Sequence, residues 1–221
     1  RGNPYHEFES RPLRKERMEP QEQILRFFYF VLPIILLDLY DALGIQAESE
    51  YKTITNQKMK EYTTKDIRNV VLLGATKSGK TTLSEAMLYE GKVIDRRGSV
   101  EEKNTVSDNS ELEKLNQRSI YASPLYAEFL GAKVNIIDAP GSDDFIGGTY
   151  SAFRVCESGL LLINAQQGVE VGTENVLRLA ESKQLPLVIA VNQLDSEKAD
   201  WDTVQASIKE AVGQKAVYVQ F

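Results

Sequence analysis

The stretch VVLLGATKSGKTTLSEAMLYE, residues 70–90, decides the fold. Its first four residues form an apolar run of the kind found in buried parallel strands, and residues 80–90 carry apolar side chains at helical spacing. Between them lies the pattern G-x-x-x-x-G-K-[ST], which predicts a loop whose backbone N–H groups surround phosphate oxygens at a helix N-terminus. Because a strand precedes the loop and a helix follows it, we interpret the stretch as a binding loop for a nucleoside triphosphate.

The residue types in this loop suit a triphosphate that is bound with magnesium. Glycine lets the backbone turn its N–H groups inward, and the Lys80 ammonium supplies positive charge between the β- and γ-phosphates. The hydroxyl of Thr81 is a ligand for Mg²⁺. Lys77 adds a second cation, which we expect to be solvated. The residues predicted to contact the nucleotide here are Gly74, Ala75, Thr76, Lys77, Ser78, Gly79, Lys80, Thr81 and Thr82.

The chain from residue 69 onward alternates predicted strands with predicted helices. Strands are expected at residues 70–73, 125–130, 133–137, 160–163 and 187–191, and helices at residues 80–90, 173–183 and 203–212. This alternation predicts an α/β fold of the phosphate-loop NTPase type, a mainly parallel sheet flanked by helices. Ligands bind beyond the carboxyl ends of such strands, so the loops after Leu73, Ile137 and Val191 are expected to form the site. Residues 97–120, polar and weakly periodic, are expected to form a long loop.

A second motif, DAPG at residues 138–141, follows the strand predicted at residues 133–137. From the end of that strand, the Asp138 carboxylate can hold Mg²⁺ through water, and the Gly141 N–H can meet the γ-phosphate. Asp, Pro and Gly also build ordinary turns, so the motif alone is weak. Its place after the phosphate-binding loop favours the nucleotide interpretation.

A third motif, NQLD at residues 192–195, follows the strand predicted at residues 187–191 and resembles the N-K-x-D motif of GTPases. In that interpretation the Asp195 carboxylate accepts both N–H donors on the guanine edge, and Asn192 ties the loop to the base and to the phosphate-binding loop. Adenine offers no such donor pair and would leave a buried carboxylate unsatisfied. Gln193 replaces the usual lysine, which makes weaker nucleotide affinity plausible. The alternative is that the motif merely caps a helix.

Composition excludes several classes of function. The chain has 221 residues, of which 42% are hydrophobic and 26% charged, as in a globular protein. Its net charge of −6 repels phosphate backbones, so no binding of free DNA is expected and any nucleic-acid contact must be local. The single cysteine, Cys156, fits a reducing compartment. The single histidine, His6, excludes a Ser-His-Asp site and a multi-histidine zinc site.

Residues 1–58 differ in character from the rest and are expected to be an N-terminal extension, peripheral or non-native. Residues 59–221 are then the functional domain, with Met59 as a natural start position. The apolar run at residues 27–37 has 11 residues, fewer than the roughly 20 that span a bilayer, so no membrane partner is expected. Its basic-then-apolar order also imitates a signal peptide, which is the alternative interpretation.

Together, these motifs resemble those of a known protein family. Residues 66–220 are similar to the N-terminal part of the GTP-binding domain of elongation factor G and its relatives among translational GTPases, which include ribosomal protection proteins. The stretches that carry the resemblance are DIRNV at 66–70, GKTTL at 79–83, NIIDAPG at 135–141 and GVE at 168–170, with Asp108 and Asn109 in the long loop. The family's fifth guanine motif is absent, so the domain is expected to be incomplete at its C-terminus.

The resemblance implies a cytoplasmic GTPase that binds GTP or GDP with Mg²⁺ and acts on the ribosome in translocation. Two alternatives stay open: a GTP-dependent switch that binds the ribosome without using hydrolysis, and a ribosomal protection protein. An ATP-dependent kinase is the poorest candidate, since it leaves Asp195 and the Gly141 loop without a role.

The departures from the family concern catalysis. The family usually has histidine after D-x-P-G, where it orients the attacking water, and this chain has Ser142. With Lys80, Gly141 and Ser142 in the catalytic positions, we predict impaired or unusual hydrolysis. The predicted magnesium set is Thr81, Asp138 and Ser119, where Ser119 takes the place of the family's threonine. A different register would put Tyr121 there, and a phenol would crowd the ion.

Overall fold

A computed structural model describes residues 61–213 together with residues 216 and 217. The predictions made for residues 1–58 and for Met59 lie outside the described residues. No helix of the described part has both the length and the apolar character that crossing a membrane requires.

Five strands form one sheet, and five helices and two short 3₁₀ turns, Thr64–Asp66 and Asp143–Phe145, connect or cover them in the described residues. The strands are β1 Ile67–Leu73, β2 Ser123–Phe129, β3 Ala132–Asp138, β4 Ser158–Asn164 and β5 Leu187–Asn192. The helices are α1 Lys80–Glu90, α2 Glu111–Asn116, α3 Ile146–Ala152, α4 Val171–Lys183 and α5 Trp201–Val212. The predicted α/β class is confirmed.

The sheet has the order β2-β3-β1-β4-β5, and its pairs are parallel except for β2 with β3. Those two strands form a hairpin whose turn holds Leu130 and Gly131 at φ 46° and 85°, a left-handed conformation that suits glycine. The carboxyl ends of β1, β3, β4 and β5 therefore meet at one edge of the sheet. That edge carries the three loops that were expected to form the site.

Both faces of β1 and β4 are covered, which explains their uninterrupted apolar sequences. On one face Val71, Leu73, Leu161 and Ile163 pack with apolar residues of α3, α4 and α5. On the other face Val70, Leu72, Leu160 and Leu162 pack with Met87 of α1 and with residues of β2 and β3. Helix α1 thus lies on the opposite side of the sheet from α4 and α5, and its N-terminus stands above the end of β1.

Two predictions about elements differ from the structure by more than two residues. Strand β1 begins at Ile67 rather than residue 70, because the polar side chain of Asn69 is satisfied within the sheet: it donates to Glu157 Oε1 at 2.8 Å and accepts from Asn135 Nδ2 at 2.7 Å. Residues 97–120 are not one long loop, because helix α2 lies inside them. Its first turn is fixed by a capping box between Ser110 and Glu113.

Candidate functional site

The phosphate-binding loop adopts a backbone that only small residues permit at two points. Gly74 has φ 135° and Gly79 has φ 97°. A Cβ at Gly74 would collide with the Leu162 carbonyl oxygen of the neighbouring strand, and one at Gly79 would collide with Asn192 Nδ2. Both glycines are therefore required by close approach as well as by φ. The loop ends at the N-terminus of α1, where backbone N–H groups are available to an anion.

Lys80 is buried beneath this loop and points back across it. Its ammonium donates to the carbonyl oxygens of Gly74 at 3.0 Å and Ala75 at 2.8 Å. Burial lowers the pKa of Lys80 to about 8, while the negative charges of Asp138, Asp108 and Glu170 oppose that shift. The loop therefore holds a cation that nearby carboxylates keep charged near neutral pH.

The loop after β3 touches the phosphate-binding loop at Gly141. A Cβ at this position would contact the Lys80 ammonium and would lie 2.8 Å from the carbonyl carbon and oxygen of Ala75. The main chain of the DAPG motif is therefore packed directly on the loop where a triphosphate is expected. The other predicted loop residues vary: Thr76, Lys77 and Thr82 are exposed, whereas Ser78 is buried.

Three oxygen-bearing side chains predicted to hold magnesium lie together at the start of α1. Thr81 Oγ1 donates to Asp138 Oδ2 at 2.9 Å and lies 3.2 Å from Ser119 Oγ. Asp138 is 1% exposed, and its Oδ1 has no hydrogen-bond partner among the described residues. Burial raises the pKa of Asp138 and the Lys80 charge opposes the rise. Hydroxyl and carboxylate oxygens with an unsatisfied buried atom fit a Mg²⁺ ion.

Ser119 reaches this cluster rather than Tyr121, the alternative considered from the sequence. The Tyr121 side chain is 56% exposed. Asp108 is buried nearby, and this burial raises its pKa to about 6, although a hydrogen bond from Ser119 and the charge of Lys80 oppose the rise.

The structure also reveals two buried carboxylates that the sequence analysis missed, and both hold the segment that carries Ser119. Glu113, 1% exposed, accepts from the backbone N–H groups of Ile120 at 3.0 Å and Tyr121 at 3.1 Å. Its other oxygen accepts from the Ser110 N–H at 3.2 Å and hydroxyl at 2.8 Å. Ser110 followed three residues later by Glu113 is a capping-box pattern, so this part was readable from the sequence.

Glu85 is the second buried carboxylate and has no exposed surface. It accepts from the Gly98 N–H at 2.8 Å and from the Val106 N–H at 2.5 Å. These bonds tie the segment before α2 to the helix that follows the phosphate-binding loop. The one available signal was its spacing, since Glu85 follows Thr81 by four positions and so shares its face of α1.

The NQLD loop reaches the phosphate-binding loop through two of its side chains. Asn192 Nδ2 donates to the Ser78 carbonyl oxygen at 2.9 Å, and Gln193 Nε2 donates to the Lys77 carbonyl oxygen at 3.0 Å. Asp195 is exposed, and no hydrogen bond between its carboxylate and another described residue is found. The carboxylate is therefore available to a ligand beside the loop.

Ser142 stands apart from these contacts. Its hydroxyl donates to Asp144 Oδ2 at 3.3 Å, and no hydrogen bond joins it to the phosphate-binding loop in the described residues. The 3₁₀ turn that follows meets the Ser119 segment instead, because the Arg118 guanidinium lies 5.4 Å from the centroid of the Phe145 ring, a cation–π distance. The two loops that flank the expected γ-phosphate position thus contact each other.

Comparisons with known proteins show which family the chain resembles. The family profile described as Elongation factor Tu GTP binding domain matches residues 65–220. The Elongation factor G-like protein of Mycobacterium tuberculosis (strain ATCC 25618 / H37Rv) is 35% identical over 151 residues, which are 68% of this chain and 21% of that protein. The Tetracycline resistance protein TetM from transposon Tn916 of Enterococcus faecalis is 33% identical over 154 residues, 70% of this chain and 24% of that protein.

A solved crystal structure of a protein from Thermus thermophilus has a TM-score of 0.64 and 36% sequence identity, and the match covers 66% of this chain and 22% of that chain. The resemblance predicted from the motifs is confirmed by these matches. The chain spans between a fifth and a quarter of the length of these relatives.

Proposed function

The chain belongs to the family of elongation factor Tu GTP-binding domains, and from this membership we propose that it binds GTP and GDP with Mg²⁺ and hydrolyses GTP on the ribosome. Hydrolysis would be coupled to translocation, in the cytoplasm. Family membership itself supports a GTP-binding domain of the translational type. The action on the ribosome is our proposal for this chain.

The observation that carries the proposal is that the loops after β3 and β5 both meet the phosphate-binding loop. Gly141 packs on Ala75 and Lys80, Asn192 bonds to Ser78, and these contacts join segments far apart in the sequence. A triphosphate between them would meet the helix N-terminus, the Lys80 ammonium and the Gly141 N–H at once. A triphosphate site requires these loops to lie together, whereas loops that serve only as turns between strands and helices do not.

Thr81, Ser119 and Asp138 are the residues that would hold the magnesium ion. Bound there, Mg²⁺ would neutralise charge on the β- and γ-phosphates. Within the protein, Thr81 and Ser119 come from the two ends of a segment that Glu85 fastens to α1, and Glu113 of α2 accepts from the Ile120 N–H just after Ser119. The Ser119 hydroxyl is therefore held ready at the site.

Base selection rests on Asp195. An exposed carboxylate beside the phosphate-binding loop can accept the two N–H donors of guanine, while adenine lacks that pair. Asn192 would hold the NQLD loop in place, since its side-chain amide donates to the Ser78 carbonyl oxygen.

A second candidate is a switch that binds GTP and the ribosome but hydrolyses GTP slowly. The observation that favours it is Ser142, which stands where the family usually has histidine and bonds to Asp144 rather than to the phosphate-binding loop. Serine cannot supply a protonated imidazole near neutral pH. A ribosomal protection role is a separate alternative, and the relative named as a tetracycline resistance protein supports it.

Nucleotide competition tests the shared premise. In the full chain, GDP and GTP should displace a fluorescent guanine nucleotide in a Mg²⁺-dependent manner, whereas ADP and ATP should displace it at least about 100-fold less well, since each lost charged hydrogen bond weakens binding strongly. Asp195→Ala should abolish this preference.

Asp202→Ala is the matched control, because Asp202 is an exposed aspartate on the neighbouring helix α5. Equal affinity for guanine and adenine nucleotides, or an Asp195→Ala variant with unchanged preference, would contradict the proposal.

A further inference from the structure

Three side-chain amides join the loops that follow β4 and β5. Asn164 Nδ2 donates to Gln193 Oε1 at 3.0 Å, and Gln166 Nε2 donates to the same oxygen at 3.1 Å. Gln193 Nε2 then donates to the Lys77 carbonyl oxygen of the phosphate-binding loop at 3.0 Å. Gln193 is thus both an acceptor toward one loop and a donor toward another.

The direction of these hydrogen bonds is fixed by backbone groups at both ends. Asn164 Oδ1 accepts from the Gln166 backbone N–H at 2.8 Å, so the Asn164 amide nitrogen must face Gln193. At the other end the Lys77 carbonyl can only accept, so the Gln193 amide nitrogen must face it. Neither amide can rotate by 180° without setting two donors or two acceptors against each other.

Because Asn164 is buried, reversing the direction of these hydrogen bonds is unfavourable. Asn164 is 7% exposed at the end of β4 and pairs in register with Asn192 of β5, so water cannot readily replace a lost partner. Lysine, which the related N-K-x-D motif carries at this position, has three donors and no acceptor. A lysine here could donate to the Lys77 carbonyl, but it would meet the Asn164 amide nitrogen as a second donor.

We propose that Gln193 is a positioning residue matched to Asn164: its amide N–H holds the NQLD loop on the phosphate-binding loop, and its amide oxygen, an acceptor that lysine lacks, holds it on the loop after β4. Restoring the lysine usual in the motif should therefore weaken nucleotide binding in this chain. The inference rests on the proposed function only in taking the bound nucleotide to be a guanine nucleotide. The amide arrangement itself is independent of the ligand.

A double-substitution cycle tests the match. Gln193→Lys alone should weaken GDP binding about tenfold, because one buried donor loses its acceptor. Asn164→Asp alone should weaken it similarly, because its new oxygen faces Gln193 Oε1. The double variant should recover most of the lost affinity, since a carboxylate at 164 accepts from both the Gln166 N–H and the ammonium at 193.

Gln193→Met is the matched control. It keeps the length of the side chain and removes both the donor and the acceptor, so Asn164→Asp should not rescue it. A merely structural role for Gln193 predicts additive effects and no rescue of either variant. Additive effects in the cycle would overturn the proposal.

Thermal unfolding of the same variants without nucleotide gives a second readout. Rescue by the double variant in unfolding but no guanine-nucleotide binding by the unsubstituted chain would support the amide match and contradict the proposed function. Additivity in both readouts would overturn the match even if GDP binds tightly.

Amide hydrogen exchange of the unsubstituted chain covers the case in which a variant fails to fold. The Gln166 N–H should be protected although it lies in an exposed turn, because Asn164 Oδ1 accepts from it. Exchange at the rate of an unprotected amide would overturn the proposal.

Discussion

Ser119 Oγ lies 3.2 Å from Thr81 Oγ1, although 38 positions separate the two residues. Two carboxylates hold the segment between them: Glu85 of α1 accepts from the Gly98 N–H, and Glu113 of α2 accepts from the Ile120 N–H just after Ser119. A hydroxyl placed in this way is available as a second oxygen ligand. The site thus depends on the buried carboxylates of Glu85 and Glu113 as well as on the predicted motif residues.

Replacement of Ser119 tests its role. We expect Ser119→Ala to reduce the gain in GTP affinity that Mg²⁺ provides by about tenfold, because one oxygen ligand is lost. Ser119→Thr keeps the hydroxyl and should retain most of the gain. Titration of GTP at several Mg²⁺ concentrations measures the effect.

Tyr121→Phe is the control, because Tyr121 is exposed and lies outside the cluster. A loss in this variant equal to that of Ser119→Ala would support the alternative register.

Glu113 should contribute stability that depends on pH. Burial raises the pKa of Glu113, but its hydrogen bonds to Ile120, Tyr121 and Ser110 outweigh burial and hold it below the ordinary value of 4.5. A carboxyl with a depressed pKa contributes stability that is present above its unfolded-state pKa and is lost as the pH falls through its folded-state value. Glu113→Gln should therefore lower the free energy of unfolding by about 1–3 kcal/mol at neutral pH.

The difference between the two chains should shrink as the pH falls below 4.5, the ordinary value. Denaturant unfolding at several pH values measures it, and Glu111→Gln, an exposed glutamate on the same helix, is the control. A gap that widens toward acid pH would contradict the assignment.

Glu85 should control the mobility of the segment before α2. In Glu85→Gln one carboxylate oxygen becomes an amide donor that faces the Gly98 or the Val106 N–H, so at least one bond is lost. We expect the amides of Gly98 and Val106 to exchange about tenfold faster in that variant. Glu90→Gln, at the far end of α1, should leave both rates unchanged, and equal effects of the two variants would refute the anchoring role.

Local patterns predicted the elements that carry the chemistry. The apolar run of β1, the glycines of the phosphate-binding loop and helix α1 stand next to one another in the sequence, so short-range periodicity identified them. The start of β1 was missed because Arg68 and Asn69 are polar. Asn69 is held in the sheet by Glu157, which lies 88 positions away and which periodicity cannot detect.

Long-range partners also limited the prediction of the site. The motif residues were found, but the role of Gln193 was judged only by its difference from lysine. Its acceptor function depends on Asn164 and Gln166, which lie on another loop. Glu85 was missed because its spacing of four positions from Thr81 indicates only a shared helix face, and its partners are backbone N–H groups that any sequence supplies.

Cys156 should be unreactive while the chain is folded. It is buried, and burial together with the Glu157 charge raises its pKa to about 12, so the thiol stays protonated at neutral pH. Alkylation at about pH 8 should be at least about 100-fold slower than in the denatured chain. Between about pH 9 and 11 the folded rate should still rise with pH while the denatured rate levels off near its ordinary pKa. Rapid labelling of the folded chain would contradict this burial.

Ser142 decides between the two candidate functions. If hydrolysis is limited by the missing histidine, Ser142→His should raise the single-turnover GTPase rate on ribosomes by about 100-fold, since a positioned acid or base typically contributes that much or more. Ser142→Ala should leave the rate unchanged, because the Ser142 hydroxyl bonds to Asp144 rather than to the phosphate-binding loop. GDP affinity should be the same in all three chains.

The pH profile separates catalysis from repositioning. An imidazole at position 142 titrates near its ordinary pKa of about 6.5, so the gained rate should vary between about pH 5.5 and 7.5 while the rate of the unsubstituted chain stays flat there. A high, ribosome-dependent rate in the unsubstituted chain would instead favour the translocating GTPase and remove the case for a slow switch. A rise in Ser142→His without this pH dependence would mean that the substitution moves the Gly141 loop and does not supply the missing proton-transfer group.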